Sequence, residues 1–583
     1  MGDNKNFILF AVFSLAILIG YNMFYLVPKQ QEADRTWQIE RQEAIDRGEL
    51  DPAIAAPTSS APQTAPSTDN TIPTSLAFQD AGHVRIETPE LSGSISLRGA
   101  RFDDLILLNH RVSKDADSDN IQLLKKYGQN DAYFASFNWF NRSRAEGMSP
   151  TNETAWTADQ TTLTPGSPVT LAWENGAGVK FLIKVSVDER FMFTIDQTVI
   201  NTSEESIELA PYGYIKRSGT PTTDGLYILH EGPIGVFDGI LEEVDYDDLK
   251  DDGNFEQPTE NGGWMGLTDK FWMATLVPDN ASPLLRARLS YKNTGGTDVY
   301  GADYSHQYEV VAPGTSSETT NRFYAGAKIV DFIDTYEEQY DIKDFNKTID
   351  WGVFWFLTQP IFSGLHWLFE VTGNYGVAIL LMTVILKLIL FPLANKSYRS
   401  MAHMKKAQPK IKKLQERYKD DKQKLQQETM ALYKAEKINP MAGCLPMIPQ
   451  MFIFFALYKT LYVTIEMRHQ PFVGWITDLS SADPLTPLNL FGLIPWDPPS
   501  VIAIGVLPIL MGISMWLQQR LNPQTSMDPM QAKIMGMLPI VFTFIMAQFS
   551  AGLVLYWTWN NILSIAQQTV IMKRENAATD EAK

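Results

Sequence analysis

Cysteine is almost missing from this chain: Cys444 is the single one among 583 residues. That excludes an internal disulfide framework and any multi-cysteine zinc or iron–sulfur site. No Gly-x4-Gly-Lys-Ser/Thr phosphate loop occurs anywhere, which argues against ATP hydrolysis by this chain. Positive charge is scarce over residues 1–350, where 28 Lys and Arg stand against 53 Asp and Glu. A nucleic-acid-binding fold wants the opposite sign, so DNA is not an expected partner. Histidine is sparse too, and His83, His110, His230 and His306 show no spacing that pairs them. No metal and no cofactor are expected.

The basic residues that the first part lacks are found in the second. Residues 351–583 hold 21 Lys and Arg against 14 Asp and Glu, so the net charge of −18 averages an acidic part with a basic one. Such asymmetry points to two regions facing different surroundings.

Residues 7–27 form an apolar run of about 20 residues, enough to cross a ~30 Å hydrocarbon core. The run ends in Met23-Phe24-Tyr25-Leu26-Val27-Pro28 without a small-x-small cleavage site, so residues 1–28 read as an uncleaved anchor rather than a signal peptide. Residues 29–75 are first charged and then rich in Ala, Pro, Ser and Thr, a linker. From residue 76 the pattern becomes short alternating runs separated by Gly, Asn, Asp and Pro. Residues 179–187 alternate, Asp188-Glu189-Arg190 turn, and residues 191–200 alternate again, an antiparallel hairpin. Residues 76–347 therefore read as a soluble β-sandwich, with a helix over 328–346 leaving it. Residues 348–373, carrying Trp351, Trp355, Trp367 and Pro360, read as an interfacial amphipathic helix.

Residues 374–572 contain five further apolar runs: 375–393, 441–463, 501–518, 534–549 and 552–571. Between the first two, residues 395–440 hold 13 Lys and Arg against 5 Asp and Glu. The positive-inside rule puts that stretch in the cytoplasm. One span back, the β-domain is then on the opposite, periplasmic side. Six spans with both termini cytoplasmic follow, closed by a short tail, 573–583. A crossing by residues 348–373 would put the basic stretch and the acidic domain on the same side. The fold expected is a membrane protein: an α-helical core of five transmembrane helices plus the anchor helix, with a periplasmic β-domain.

Within the basic stretch, Ile411, Leu414 and Tyr418, and then Leu425 and Leu432, recur at helical spacing. Asp420-Asp421 can cap a second helix, which makes a helical hairpin. Lys405, Lys406, Lys410, Lys412, Lys413 and Arg417 offer a docking face to anionic lipids, ribosomal RNA or acidic nascent chains. The same composition also suits a solvated loop that only sets topology. Lys387 lies inside the first of the five runs, where a charge costs at least ~2.5 kcal/mol unless it meets water, a partner or the interface. Snorkelling toward Lys396, nine residues on, is one reading. Thr383 at i−4 and Gly376 about three turns away outline a polar or small stripe, the mark of a wet cavity. Glu370 and Glu466 flank spans and do not neutralise Lys387. Gln450, Lys459, Gln518, Gln519, Gln548, Asn560 and Asn561 interrupt the other runs, and each alone suits helix–helix packing.

Four segments then carry a resemblance. Gln408-Pro409-Lys410-Ile411, Met430-Ala-Leu-Tyr-Lys-Ala-Glu-Lys-Ile-Asn-Pro440, Gly443-Cys-Leu-Pro446 and Gly552-Leu-Val-Leu-Tyr556 closely resemble the bacterial YidC family of membrane protein insertases, over about residues 351–572. The N-terminal half, with Gly262-Gly-Trp-Met-Gly266, resembles the Gram-negative form. The resemblance implies a β-supersandwich related to sugar-binding and mutarotase-like folds. It also implies a hydrophilic groove open to cytoplasm and lipid. Lys387 stands where the family has a groove arginine, keeping the charge and losing the guanidinium fork. Thr383, Gln450, Gln519 and Tyr556 map onto groove or groove-edge positions, and Trp557 onto a position where another aromatic is common. Residues 487–499 look like an insertion, and the tail is short and nearly balanced in charge, unlike the long basic tails to which ribosome contact is attributed. The implied function is insertion and folding of inner-membrane proteins, not enzymatic catalysis. Implied partners are nascent membrane proteins, the Sec translocon, the ribosome with signal recognition machinery, and anionic lipids. A secondary transporter, for which no internal repeat is visible, and an exported carbohydrate-active or carbohydrate-binding protein are the alternatives.

Overall fold

Every second side chain of the strand Val179–Val187 is buried, and Met192–Asn201 buries Phe193, Ile195, Gln197 and Val199 in step. The two strands pair antiparallel, with Phe193 opposite Val187 and Asn201 opposite Val179, the hairpin that the alternation predicts. The computed structural model describes residues 82–115, 117–143, 147–223, 229–257, 263–419, 421–436, 447–491, 493–494, 503–521 and 529–580. The expected anchor and linker, Cys444 and residues 492 and 495–499 of the expected insertion lie outside the described residues.

Two sheets form among the described residues, one of eleven strands and one of nine. The first includes Arg101–Arg111, Tyr133–Asn141, Ile207–Ser218 and Thr297–His306. The second includes Met192–Asn201, Thr315–Ala327 and Trp272–Val277. Phe102 and Phe137 of the first meet Phe193 and Phe323 of the second, with ring centroids 5.4–6.1 Å apart, mostly edge to face. Such packing adds to the apolar burial that holds two sheets together.

A short helix, α1 (Tyr246–Asp252), belongs to the sheet domain, and α2 (Val330–Tyr340) leaves it. The single helix expected over 328–346 is in fact α2 followed by a separate 3₁₀ turn, Phe345–Thr348. Asp341 stops α2 by adopting a left-handed conformation (φ 50°), which Asp tolerates better than most residues.

The helical region follows as α3 (Trp355–Thr372), α4 (Tyr375–Ile389), α5 (Phe391–Arg417), α6 (Lys422–Ala435), α7 (Met447–Val463), α8 (Val506–Leu521), α9 (Pro529–Met546) and α10 (Ala551–Asp580). Gly373, at φ 66°, ends α3, and the Asn374 carboxamide oxygen accepts from Val377 N at 3.1 Å to start α4. The run 375–393 is not one straight helix. It breaks at Leu390, beside Pro392, and α4 and α5 diverge by 68°. Proline lacks the N–H that would continue the ladder, so the break falls there. Among the described residues no single helix is both long and apolar enough to cross a membrane; by length and composition only the bent pair α4–α5 is, taken together. The last helix runs to Asp580, so the expected tail begins inside it.

The sheet domain's core does not stop at its last strand. Trp351, Phe362 of α3, Val463 at the end of α7 and Ile465 belong to the same buried cluster as Phe323 and Trp264. A second cluster binds α3, α4, α7, α8 and α10 through Leu365, Ile379, Leu457, Met511 and Leu553.

Candidate functional site

α4 carries Thr383 and Lys387 one turn apart. Thr383 is buried and donates its hydroxyl to Ile379 O at 2.6 Å, so its polarity is spent within its own helix. Lys387 Nζ instead crosses to α10 and donates to Ser564 Oγ at 2.6 Å. Ser564 in turn donates to Asn560 O at 2.7 Å. The lysine is half-buried, and among the described residues no carboxylate pairs with it. Ser564 was missed by the sequence reading, although Tyr556, Asn560, Ser564 and Gln568 recur every fourth residue along α10, a legible polar stripe.

A second polar station lies on the same helix. Gln450 Nε2 of α7 donates to Tyr556 Oη at 2.5 Å. Tyr556 and Ser564 are eight residues apart, about 12 Å along α10, so the two stations occupy different levels of one stripe. Asn561 Nδ2 donates to Ser514 Oγ at 3.0 Å and ties α10 to α8. Trp557 joins an aromatic group, 4.6 Å from Phe454 and 5.7 Å from Phe542 between ring centroids, rather than a polar contact. Gln519 is half-buried near the C-terminal end of α8.

α5 and α6 pack through Met404, Ala407, Ile411, Leu432 and Tyr433. Asp421 caps α6, its Oδ1 accepting from Lys424 N at 2.9 Å. Lys405, Lys406, Lys410, Lys412, Lys413 and Arg417 are all exposed, and Lys410 forms an ion pair with Glu436. The apolar stripe thus faces the partner helix and the cationic residues face outward.

The four histidines of the sheet domain are scattered. His306 Nε2 bonds to Asn321 Oδ1 at 2.9 Å in the core, and burial lowers its pKa. His110 lies 5.5 Å from Trp272, and burial, with the Arg468 guanidinium nearby, pulls it down to about 4. His230 contacts Pro233 O at 3.0 Å, and His83 is exposed. Among the described residues no group of three His, Cys, Asp or Glu side chains could hold a metal.

Comparison with known proteins gives a consistent likeness. A family model described as the 60Kd inner membrane protein matches residues 367–578, and one described as the YidC periplasmic domain matches residues 83–363. The membrane protein insertase YidC of Rickettsia felis is 42% identical over 568 residues, covering 97% of this chain and 99% of that protein. The protein of the same description from Rhizobium meliloti is 45% identical over 588 residues, covering 100% of this chain and 97% of that one. A solved structure described as an active YidC insertase with its first transmembrane domain resolved is 18% identical, with a TM-score of 0.36, covering 84% of this chain and 92% of that one.

Proposed function

The chain belongs to the YidC family of membrane protein insertases, and on that premise we propose that Lys387, backed by Ser564, is the cationic station at which the acidic flank of a client enters the membrane core. The protein inserts membrane proteins into the inner membrane, and its β-rich domain is periplasmic.

The observation that carries the proposal is the bond from Lys387 Nζ to Ser564 Oγ, made where the described residues supply no counter-charge. A serine hydroxyl holds the ammonium in place without neutralising it, so the positive charge remains available to an incoming carboxylate. Lys387, Thr383 and Gln519, with the Gln450–Tyr556 pair and Trp557, would line a groove that shelters a client's polar flank. The client's apolar segment then leaves sideways into lipid, driven by burial of its surface. Membrane potential assists acidic flanks at about 2.3 kcal/mol per charge per 100 mV.

The topology that accompanies this reading has an anchor at residues 7–27, five core spans and both termini in the cytoplasm, with residues 348–373 at the interface. Helices of 15 to 18 residues, such as α4, α7, α8 and α9, reach about 23–27 Å, a few Å short of an average hydrocarbon core. The bilayer around them would thin locally to match. Lys405, Lys406, Lys410, Lys412, Lys413 and Arg417 would face the cytoplasm and receive nascent chains, anionic lipids, or the ribosome with signal recognition machinery. The Sec translocon is a further proposed partner.

Insertion of a small protein with an acidic translocated tail, measured in proteoliposomes, tests the role of the charge. Lys387→Ala is expected to reduce insertion, Lys387→Arg to retain it, and Lys387→Glu to fall below Lys387→Ala. Undiminished insertion by Lys387→Ala would remove the charge from the mechanism.

A further inference from the structure

A second charged residue lies inside a helix of the core. Lys459 is buried on α7, and its Nζ reaches Asp350 Oδ2 at 2.7 Å, in the connector between the sheet domain and α3. Asp350 is occupied on every side. Its Oδ2 also accepts from His230 N of the sheet domain at 3.2 Å, and its Oδ1 accepts from Gly352 N at 3.0 Å. Gly352 sits at φ +71°, and a Cβ there would lie 3.3 Å from Lys459 Cε, so the connector follows the lysine stem closely. One carboxylate thus ties together the sheet domain, the connector and a core helix.

The contacts continue through the last turn of α7 and past its end. Lys270 lies 3.6 Å from the centroid of the Tyr462 ring. Glu466 Oε1 accepts from Val330 N at the start of α2 at 3.0 Å. Arg468 donates to Val112 O at 3.1 Å and lies 5.1 Å from the Trp272 ring centroid. Tyr462 is thereby held in the last turn of α7, and Glu466 and Arg468 secure the turn after it. Lys459 and Tyr462 both lie within the helix, and of the two Lys459 is the one held by an ion pair, which can set rotation as well as height.

We propose that Lys459, held by Asp350, is a positioning residue that sets the rotation of α7 so that Gln450 meets Tyr556. The inference rests on the groove reading for the importance of that pair, but not for its geometry. Lys459 and Gln450 are nine residues apart, about 13 Å along the axis and half a turn around it, on opposite faces of one helix. The sheet domain holds one face while α10 receives the other. A rotation of about 20° would carry the Gln450 amide roughly 2 Å, more than a hydrogen bond tolerates. The periplasmic domain therefore acts on the core as a fixed abutment, through one ion pair. This also explains how an intramembrane lysine is tolerated at that level: its partner comes from outside the helix bundle.

The test uses the full-length chain with Cys444→Ser, Gln450→Cys and Tyr556→Cys, reconstituted in liposomes, and measures the rate of cross-linking by a short bismaleimide. Lys459→Met is expected to slow cross-linking about tenfold. Asp350→Asn, which keeps one carboxamide oxygen to accept from Gly352 N and gives up the charge that holds Lys459, is expected to slow it as well, so the result does not depend on one variant folding. Lys459→Arg should retain the rate, and exchange of the pair, Lys459→Asp with Asp350→Lys, should restore part of it. Unchanged cross-linking in both Lys459→Met and Asp350→Asn overturns the proposal. Slowed cross-linking, with client insertion by the same substitutions in the cysteine-intact protein undiminished, supports the positioning role and overturns instead the part given to Gln450 and Tyr556 in the groove.

Discussion

In the sheet domain, His306 bonds to Asn321, Asn321 to Gln197, and Gln197 to the carbonyl of Asn138, a buried chain that passes from the first sheet to the second and back. In the helical region, Thr383, Thr460, Thr558 and Ser564 each turn a hydroxyl back onto the carbonyl four residues earlier. The first arrangement makes distant strands depend on one another. The second satisfies each helix by itself and leaves few bonds between helices, among them Lys387 to Ser564, Gln450 to Tyr556 and Asn561 to Ser514. Lipid tails are as apolar as leucine, so apolar contact between helices gains little over contact with lipid. The sheets are thus tied to one another by buried side-chain bonds, and the helices by fewer.

The largest expected effect tests that contrast directly. Leu276 in the sheet core and Leu553 in α10 are both fully buried. Leu276→Ala should cost about 2–5 kcal/mol of sheet-domain stability, from lost transfer and a cavity. Leu553→Ala should cost about half as much or less, because lipid removes the transfer part. Denaturant unfolding of each variant in detergent, followed by near-ultraviolet circular dichroism, reads the two; equal losses would break the comparison.

A smaller effect is expected at the joint between the regions. Burial pushes the Glu466 carboxyl up from 4.5 to about 7, and the neighbouring Asp331 charge adds to the rise. An acid raised in the docked state favours its protonated form there. Its contribution to docking is complete below pH 4.5 and lost as pH rises through about 7. Proteolysis of the connector after α2 should therefore quicken between pH 5 and pH 8, and Glu466→Gln should flatten that dependence. The smallest effect is Tyr556→Phe, which removes one interhelical hydrogen bond and should lower the stability of the helical region by about 1 kcal/mol, read as a small fall in the thermal midpoint in detergent. No change would mean that α7 and α10 do not depend on that bond.

Much of the sheet domain was legible because a strand exposes its period of two to any reader: Val179–Val187 and Met192–Asn201 alternate, turn at Asp188 and pair as expected. The helix cap at Asp421 was equally local. Lys387 stood out because a charge in an apolar run is costly wherever the run goes. Other features were not legible. The bend at Leu390 depends on how α4 and α5 each pack, although Pro392 marks where it falls. Lys459 looked like one of several interhelical polar residues until its partner was known.

Sequence alone therefore determined the division into an acidic β-rich part and a basic helical part, the likeness to a family, and the presence of one cation, Lys387, within an apolar run. All of these follow from local period and from the cost of placing a charge in an apolar run. Tertiary structure alone decided that Lys387 rests on Ser564, 177 residues away, and that Lys459 is held by Asp350. Such pairings depend on which faces of separate helices are brought together, and the spacing of residues along one helix says nothing about what lies opposite it.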